Sequence, residues 1–363
     1  MLRFGLIRFG GMVVAVASLA LVACGSSVSG GGTGGTGGTG GTGGFGGTGG
    51  TGGSGGSLPA CGDGAVVQLA MDQIFIGDTD PDGTPNPTVA WKQYGRNIDG
   101  FVTTNNTANL CKLAAGASPA ATYPDGFNGI DNSFGKNILP IFLGLSSDLS
   151  AQMNEGLQNG EYTYLLEISS VGSEACATSS KLWKGANLGA QPAFDGNDVW
   201  PIDPSSLTNP SDAASAECSF SDTALVQGSV DAGPPSKLDL LFRFSGYDMV
   251  LPVQQARISL TLDAGLQGAT SGQISGVIRT QDLLDEVAKV AAAFDESFCD
   301  PNSPTLQSIL QQMRQASDIM SDGTQNPSME CDAISIGIGF TMKSAQVGPV
   351  APATPPPPDP CAP

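Results

Sequence analysis

Ile334, Ile336, Ile338 and Phe340 alternate with Ser335, Gly337 and Gly339 toward the end of the chain. A period of two turns one apolar face to a core and leaves a polar face opposite, the pattern of a half-buried sheet. The pattern recurs. Leu238, Leu240, Phe242 and Phe244 alternate with Asp239, Leu241 and Arg243, and Ile258, Leu260 and Leu262 alternate with Ser259 and Thr261. Residues Val66 to Ile76 and Tyr162 to Ile168 also read as strands. Many such strands, separated by Gly, Pro and Asp turns, predict a mainly β fold with a β-sandwich-like core.

Three segments carry a helical period instead. Leu145, Leu149, Met153 and Leu157 repeat every fourth residue, and Leu283, Leu284, Val287, Ala288, Ala291 and Phe294 form a second stripe. A third starts with Ser303 as N-cap and Pro304 at the first helical position. It runs through Leu306, Ile309, Leu310, Met313 and Met320 and stops at Gly323. The spacing predicts helices over 281–298 and 304–321, forming a helical hairpin inserted near 281–321.

These patterns are confined to part of the chain. From Gly30 to Ser57 the sequence is almost wholly Gly-Gly-Thr triplets, broken by Phe45 and Ser54. It has no apolar period from which a core could form, and without proline it has nothing to favour a collagen helix. It reads as a flexible spacer; about 36 residues of this kind have an r.m.s. reach of ~30–36 Å. Residues 61–348 then form the folded domain, and the Pro-rich tail 349–363 reads as extended chain ending near Cys361.

Of 363 residues, 34 are acidic and 15 basic, a net charge of −19. That balance argues against nucleic acid as a partner and against electrostatic membrane contact. Histidine is absent from the sequence. Ser-His-Asp and Cys-His catalysis and His-ligated zinc or haem are thereby excluded. An enzyme built from this chain must use carboxylates, lysine or a hard metal.

The N-terminus carries its own signal. Arg3 and Arg8 precede a nearly apolar run from Met12 to Ala23, which has the length of a signal-peptide core and is shorter than the ~20 residues of a spanning helix. Leu21-Val22-Ala23-Cys24 matches a lipobox: branched aliphatic, tolerant position, small residue, cysteine. With the Gly-rich spacer and the following cysteine-bearing β domain, the chain resembles bacterial surface lipoproteins. The resemblance implies removal of a signal peptide, 1–23, acylation of Cys24 and a tether over 24–60. Its implied partner is the lipid bilayer, reached through the acylated Cys24, and Gly25 after the cysteine implies the outer membrane by Gram-negative sorting rules.

Beyond Cys24 there are seven cysteines with no CxxC pair, so disulfides in an exported chain are the natural reading. Neighbourhood in sequence pairs Cys299 with Cys331 across the second helix, Cys176 with Cys218, and Cys61 with Cys111. Cys361 is then left over, with Cys61–Cys361 a competing pair.

The sharpest local motif is Asp78-Thr79-Asp80-Pro81-Asp82-Gly83. Carboxylates at alternate positions of a tight loop converge their oxygens, as at the start of an EF-hand-type calcium loop. The twelfth position is Val89 and Pro85 and Pro87 follow, so an EF-hand is not expected; a loop-type Ca2+ site at Asp78, Asp80 and Asp82 is weighed against a plain Asp/Gly turn. Asp125, Asn128 and Asp131 form a second oxygen-rich cluster that could add ligands. Ser133-Phe134-Gly135-Lys136 matches the Ser-x-x-Lys element of penicillin-binding enzymes, but its companion Ser-Asp-Asn and Lys-Thr-Gly elements are missing. Asp295-Glu296 reads as a solvated helix end, and Trp91, Trp183 and Trp200 read as packing residues with sugar stacking as the alternative.

The residues together favour a membrane-anchored extracytoplasmic module that is non-enzymatic, a binding or a surface-structural one, with calcium as a stabilising cofactor and a glycan or protein as ligand. The alternative is a cell-envelope polysaccharide hydrolase that works through carboxylates.

Overall fold

A computed structural model describes residues 58–172, 175–235, 238–244, 247–355 and Cys361. Cys24, the signal segment and the spacer lie outside these residues. The described chain is mainly β, with eleven strands and short inserted helices.

The strands are β1 (Ala65–Phe75), β2 (Thr163–Val171), β3 (Cys176–Gly185), β4 (Val199–Ile202), β5 (Cys218–Val226), β6 (Ser229–Ala232), β7 (Leu238–Phe244), β8 (Tyr247–Leu262), β9 (Gly268–Arg279), β10 (Ala333–Ser344) and β11 (Gln346–Val350). Eight of them pair antiparallel in the cyclic order β1-β2-β3-β5-β6-β8-β9-β10, with β10 pairing back onto β1 and the β3–β5 ladder closing the ring. The sheet therefore closes on itself as a barrel, and this replaces the two facing sheets of a sandwich. Period-two alternation fits both, since either buries one face of each strand. Closure is supplied by β3–β5, a pairing between segments that carry no strong alternation.

The interior is filled by side chains. Leu69, Met71, Leu166, Phe220, Phe242, Leu251, Ile258, Ile274, Ile336 and Ile338 belong to one continuous core. Helices α2 (Leu139–Leu145) and α3 (Leu149–Gln158) add Leu139, Phe142, Leu149, Met153 and Leu157 to it. The expected Leu145–Leu157 helix is thus broken at 146–148. A short helix α1 (Pro119–Thr122) lies in the long β1–β2 connection. Helices α4 (Thr280–Val290) and α5 (Pro304–Arg314) pack together as the expected hairpin, both ending earlier than their stripes suggest.

β10 departs from its half-buried reading. Nearly all of it is buried, on both faces. The β1–β2 connection lies over its outer face, and the glycines allow this: a Cβ on Gly337 would stand 2.1 Å from Tyr94 O, and one on Gly339 2.4 Å from the Tyr94 ring. What reads as a solvent face is a face stripped of side chains so that backbone can approach.

Three disulfides join Cys61 to Cys176, Cys111 to Cys331 and Cys299 to Cys361, with Cys218 a buried free thiol. The expected pairs Cys299–Cys331, Cys176–Cys218 and Cys61–Cys111 do not form, nor does Cys61–Cys361. Sequence proximity misleads because barrel closure sets β3 beside the chain entry, where Cys61 N donates to Ala177 O at 2.8 Å. Cys218 instead faces Leu182 across the β3–β5 ladder.

Candidate functional site

Two polar regions compete as the site. The first lies between β10 and the β1–β2 connection. Asp131, Asn132, Ser133, Asp318 and Ser335 are all buried there. Asn132 Nδ2 lies 3.0 Å from Trp91 O, 3.2 Å from Tyr94 O and 3.0 Å from Gly337 O, and Asn132 Oδ1 accepts from Gly135 N and Gly337 N. Asp318 accepts from Ser335 N at 2.9 Å and from Ser335 Oγ at 2.6 Å. Ser133 N donates to Ser335 Oγ at 2.8 Å. Asp131 Oδ2 accepts from Ile98 N at 2.6 Å, and Asp125 Oδ2 accepts from Thr103 N at 2.6 Å.

Burial dominates the electrostatics of this region. It raises Asp131 to about 9, helped by the negative charges of Asp99, Asp125 and Asp318. It raises Asp318 to about 7 and Asp125 to about 6, and it lowers Lys136 to about 8. Such values sit where acid–base catalysts sit. The geometry gives them another meaning. Ser133 Oγ donates to Ala316 O and accepts from Asn137, while Lys136 Nζ donates to Pro124 O at 2.9 Å and lies over the Trp91 ring. Ser133 and Lys136 therefore do not form a nucleophile–base pair. The network fastens a loop layer to a strand.

Of the expected calcium ligands, Asp125 and Asp131 fall in this region and interact electrostatically. Asn128, at positive φ, belongs to a short turn beside them. Asp78, Asp80 and Asp82 form a separate group around Tyr94, whose hydroxyl they help to raise after burial. Asp80 accepts from Gln93 Nε2 at 2.6 Å and from Asn86 Nδ2 at 3.0 Å, and Asp82 accepts from Thr84 N at 2.9 Å. Amide donors thus meet the carboxylate oxygens of Asp80, as in a self-contained Asx-type turn. Asp78 Oδ1 is buried with no hydrogen-bond partner among the described residues. No group of three or more His, Cys, Asp or Glu arranged for a metal occurs among the described residues.

The second region is an open cleft of about 870 Å³ at one end of the barrel, within the ~300–1,000 Å³ of small-ligand sites. Its walls come from Glu161 and Tyr162 at the start of β2, Lys184–Asn187 at the end of β3, the turn with Asp203 and Ser205, Arg243 of β7 with Asp248 of β8, and the tail segment Ala353–Pro355. Arg243 grips Asp248 through two bonds of 2.6 and 2.9 Å, and its guanidinium lies 5.0 Å from the Tyr162 ring centre. Asp203 accepts from Ser205 N. Glu161 and Lys184 bring opposite charges to the same walls.

Topology fixes which way this cleft faces. The chain enters beside the start of β3, where Ala60 bridges Ala177. The cleft is at the other end of β3, at Lys184–Asn187, so entry and cleft are separated by ~25–30 Å of strand at ~3.3 Å per residue.

Sequence reasoning did not single out any cleft residue. They come from separate segments, and only the strand readings at Tyr162 and at Leu241 and Arg243 gave a local signal. Asp295 caps a short turn by accepting from Ser297 N. Trp91, Trp183 and Trp200 are all buried, which is the packing reading.

No protein family profile, curated protein or solved structure matches this chain.

Proposed function

We propose that this chain is a membrane-anchored extracytoplasmic lipoprotein, outer-membrane in location, whose barrel is a non-enzymatic binding module with its ligand site in the cleft. The observation that carries the reading is the polarity of the domain: the described chain begins beside one end of β3, where Ala60 bridges Ala177, and the cleft opens at the other end. Three disulfides suit an oxidising compartment. Labelled palmitate should be incorporated into the full chain and lost in Cys24→Ser, with release from membranes. Unchanged membrane retention of that variant would falsify the anchor.

Calcium enters this reading at one place. Asp78 Oδ1 is buried and unpaired, and the adjoining Asp80 would have to exchange the amides of Gln93 and Asn86 for the ion. A rise in melting temperature with Ca2+ that Asp80→Ala abolishes supports it, and a flat titration removes it.

The hydrolase alternative has one observation in its favour: Glu161, Asp203 and Asp248 share the cleft. Asp248 is committed to Arg243 and Asp203 to its own turn, which leaves Glu161 as the carboxylate to test. Turnover of envelope polysaccharide that disappears in Glu161→Gln would favour the hydrolase.

A further inference from the structure

The three disulfides differ in what they hold and in how exposed they are. Cys61–Cys176 and Cys111–Cys331 each have a member sunk in the core: Cys176, Cys111 and Cys331 are all buried. In Cys299–Cys361 neither residue is buried; Cys299 is half-buried and Cys361 exposed. This bond ties the C-terminal tail to the short turn Glu296–Cys299, between α4 and α5. Exposed disulfides are the ones that thiols reach first. Cys218, the free thiol, is buried, and burial pushes its titration up, so it does not supply a thiolate to attack that bond from within.

On its way to Cys361 the tail forms part of the cleft. β11 pairs with β4 as far as Val350 and Ile202, and Ala351 N donates to Ile202 O at 2.8 Å. Ala353–Pro355 then line the cleft opposite Lys184 and Arg243. Beyond Ala351 this wall has little to hold it. Pro352 and Pro355 have no N–H to donate, and neither Ala353 nor Thr354 makes a hydrogen bond among the described residues. Six residues lead from Pro355 to Cys361, a reach of at most ~20–22 Å, so the disulfide keeps the wall close to the α4–α5 connection. The wall is thus fastened at its two ends and not along its length. Freeing one end frees the wall.

We propose that Ala353–Pro355 is a strap over the cleft and that the Cys299–Cys361 disulfide is its redox-sensitive clasp. A dithiol from outside the chain opens the clasp by thiol–disulfide exchange. Its two thiols pass two electrons and two protons to the bond, Cys299 and Cys361 become thiols, and the dithiol becomes a disulfide. The freed tail then leaves the wall, and half-buried Lys184 gains solvent. The strap rests on the binding-module reading above, which makes the cleft the ligand site, and adds what controls entry to it. The other two disulfides stay closed, so the barrel keeps its shape while the cleft opens.

The test titrates the full chain with dithiothreitol, quenches with iodoacetamide and maps the alkylated cysteines by mass spectrometry. Cys299 and Cys361 should be alkylated at severalfold lower reductant than Cys61, Cys176, Cys111 and Cys331. In the partly reduced chain, and without reductant in the double variant Cys299→Ser/Cys361→Ser, acetylation of the Lys184 amine should speed severalfold while amide exchange in β10 stays as it was. A chain ending at Pro352 should show the same gain. Reduction of all three disulfides together, or Lys184 labelling unchanged in the double variant or in the shortened chain, overturns the strap. Faster exchange that spreads to β10 overturns it too, because the bond would then brace the whole barrel. The readout is solvent access and not ligand capture, so each of these failures leaves the binding-module reading standing.

Discussion

The network behind β10 and the cleft at the end of the barrel are built from the same side-chain types, and they differ in how those groups are satisfied. Behind β10, Asn132, Ser133, Asp318 and Ser335 are buried and bonded to one another or to backbone. In the cleft, Glu161 and Asn187 are exposed and Lys184, Asp203 and Arg243 half-buried. A buried polar group is stabilising only while its partners remain, because losing one strands the others without water. An open one keeps water as a substitute. Polar chemistry therefore acts as a fastener in the first region and stays open to solvent in the second.

The largest effect should come from breaking the fastener. Asn132→Ala removes the partner of Gly337 N, Gly337 O, Trp91 O, Tyr94 O and Gly135 N together. Stranding several buried backbone groups at ~1–3 kcal/mol each predicts a loss of at least about 3 kcal/mol, a fall of roughly 10 °C in melting temperature. Denaturant and thermal unfolding check it. A loss below about 1 kcal/mol would mean that the loop layer is held by other contacts.

The next effect is a pH dependence that only the buried region should show. Asp131 keeps its proton in the fold until about pH 9, Asp318 until about 7 and Asp125 until about 6. In the unfolded chain all three release it near pH 4. Between those limits the unfolded state binds fewer protons, so stability is full below about pH 4 and declines as pH rises toward 9. The slope is at most about 1.4 kcal/mol per pH unit for each such proton. Lys136, lowered to about 8 by burial, acts in the opposite sense between there and its ordinary 10.5. Asp131→Asn should leave stability at pH 5 nearly unchanged and raise it at pH 8. Equal changes at both values would show that Asp131 is ionised in the fold.

Much of the fold was legible in the residues. Alternation located β1, β2, β7, β10 and the second half of β8, and apolar stripes located the α4–α5 hairpin. Barrel closure was not legible, because β5 (Cys218–Val226) and the four-residue β6 (Ser229–Ala232) are rich in Ser, Thr, Asp and Ala. What brings them into the ring is pairing with β3 and β8, a non-local property. The disulfides failed for the same reason: pairs separated by 115 and 220 residues are set by which strands close the barrel. The cleft was invisible because its walls converge only in three dimensions. Asp125 and Asp131 were noticed for their oxygens, yet their character comes from burial in a folded loop layer, where Asp131 accepts from Ile98 N and Asp125 from Thr103 N and where Asp131 also feels Asp318, far away in sequence.

The smallest effect should come from the cleft, and there smallness is the point. Lys184 forms no side-chain bond among the described residues, so Lys184→Gln should change stability by no more than ~0.5 kcal/mol, as for a surface position. Its effect should appear instead in ligand capture by the cleft, as weaker binding of acidic ligands. A destabilisation above about 1 kcal/mol with unchanged ligand binding would place Lys184 with the fasteners. The contrast between the two regions would then lie in exposure alone, and the cleft would lose its claim to be shaped by what it binds.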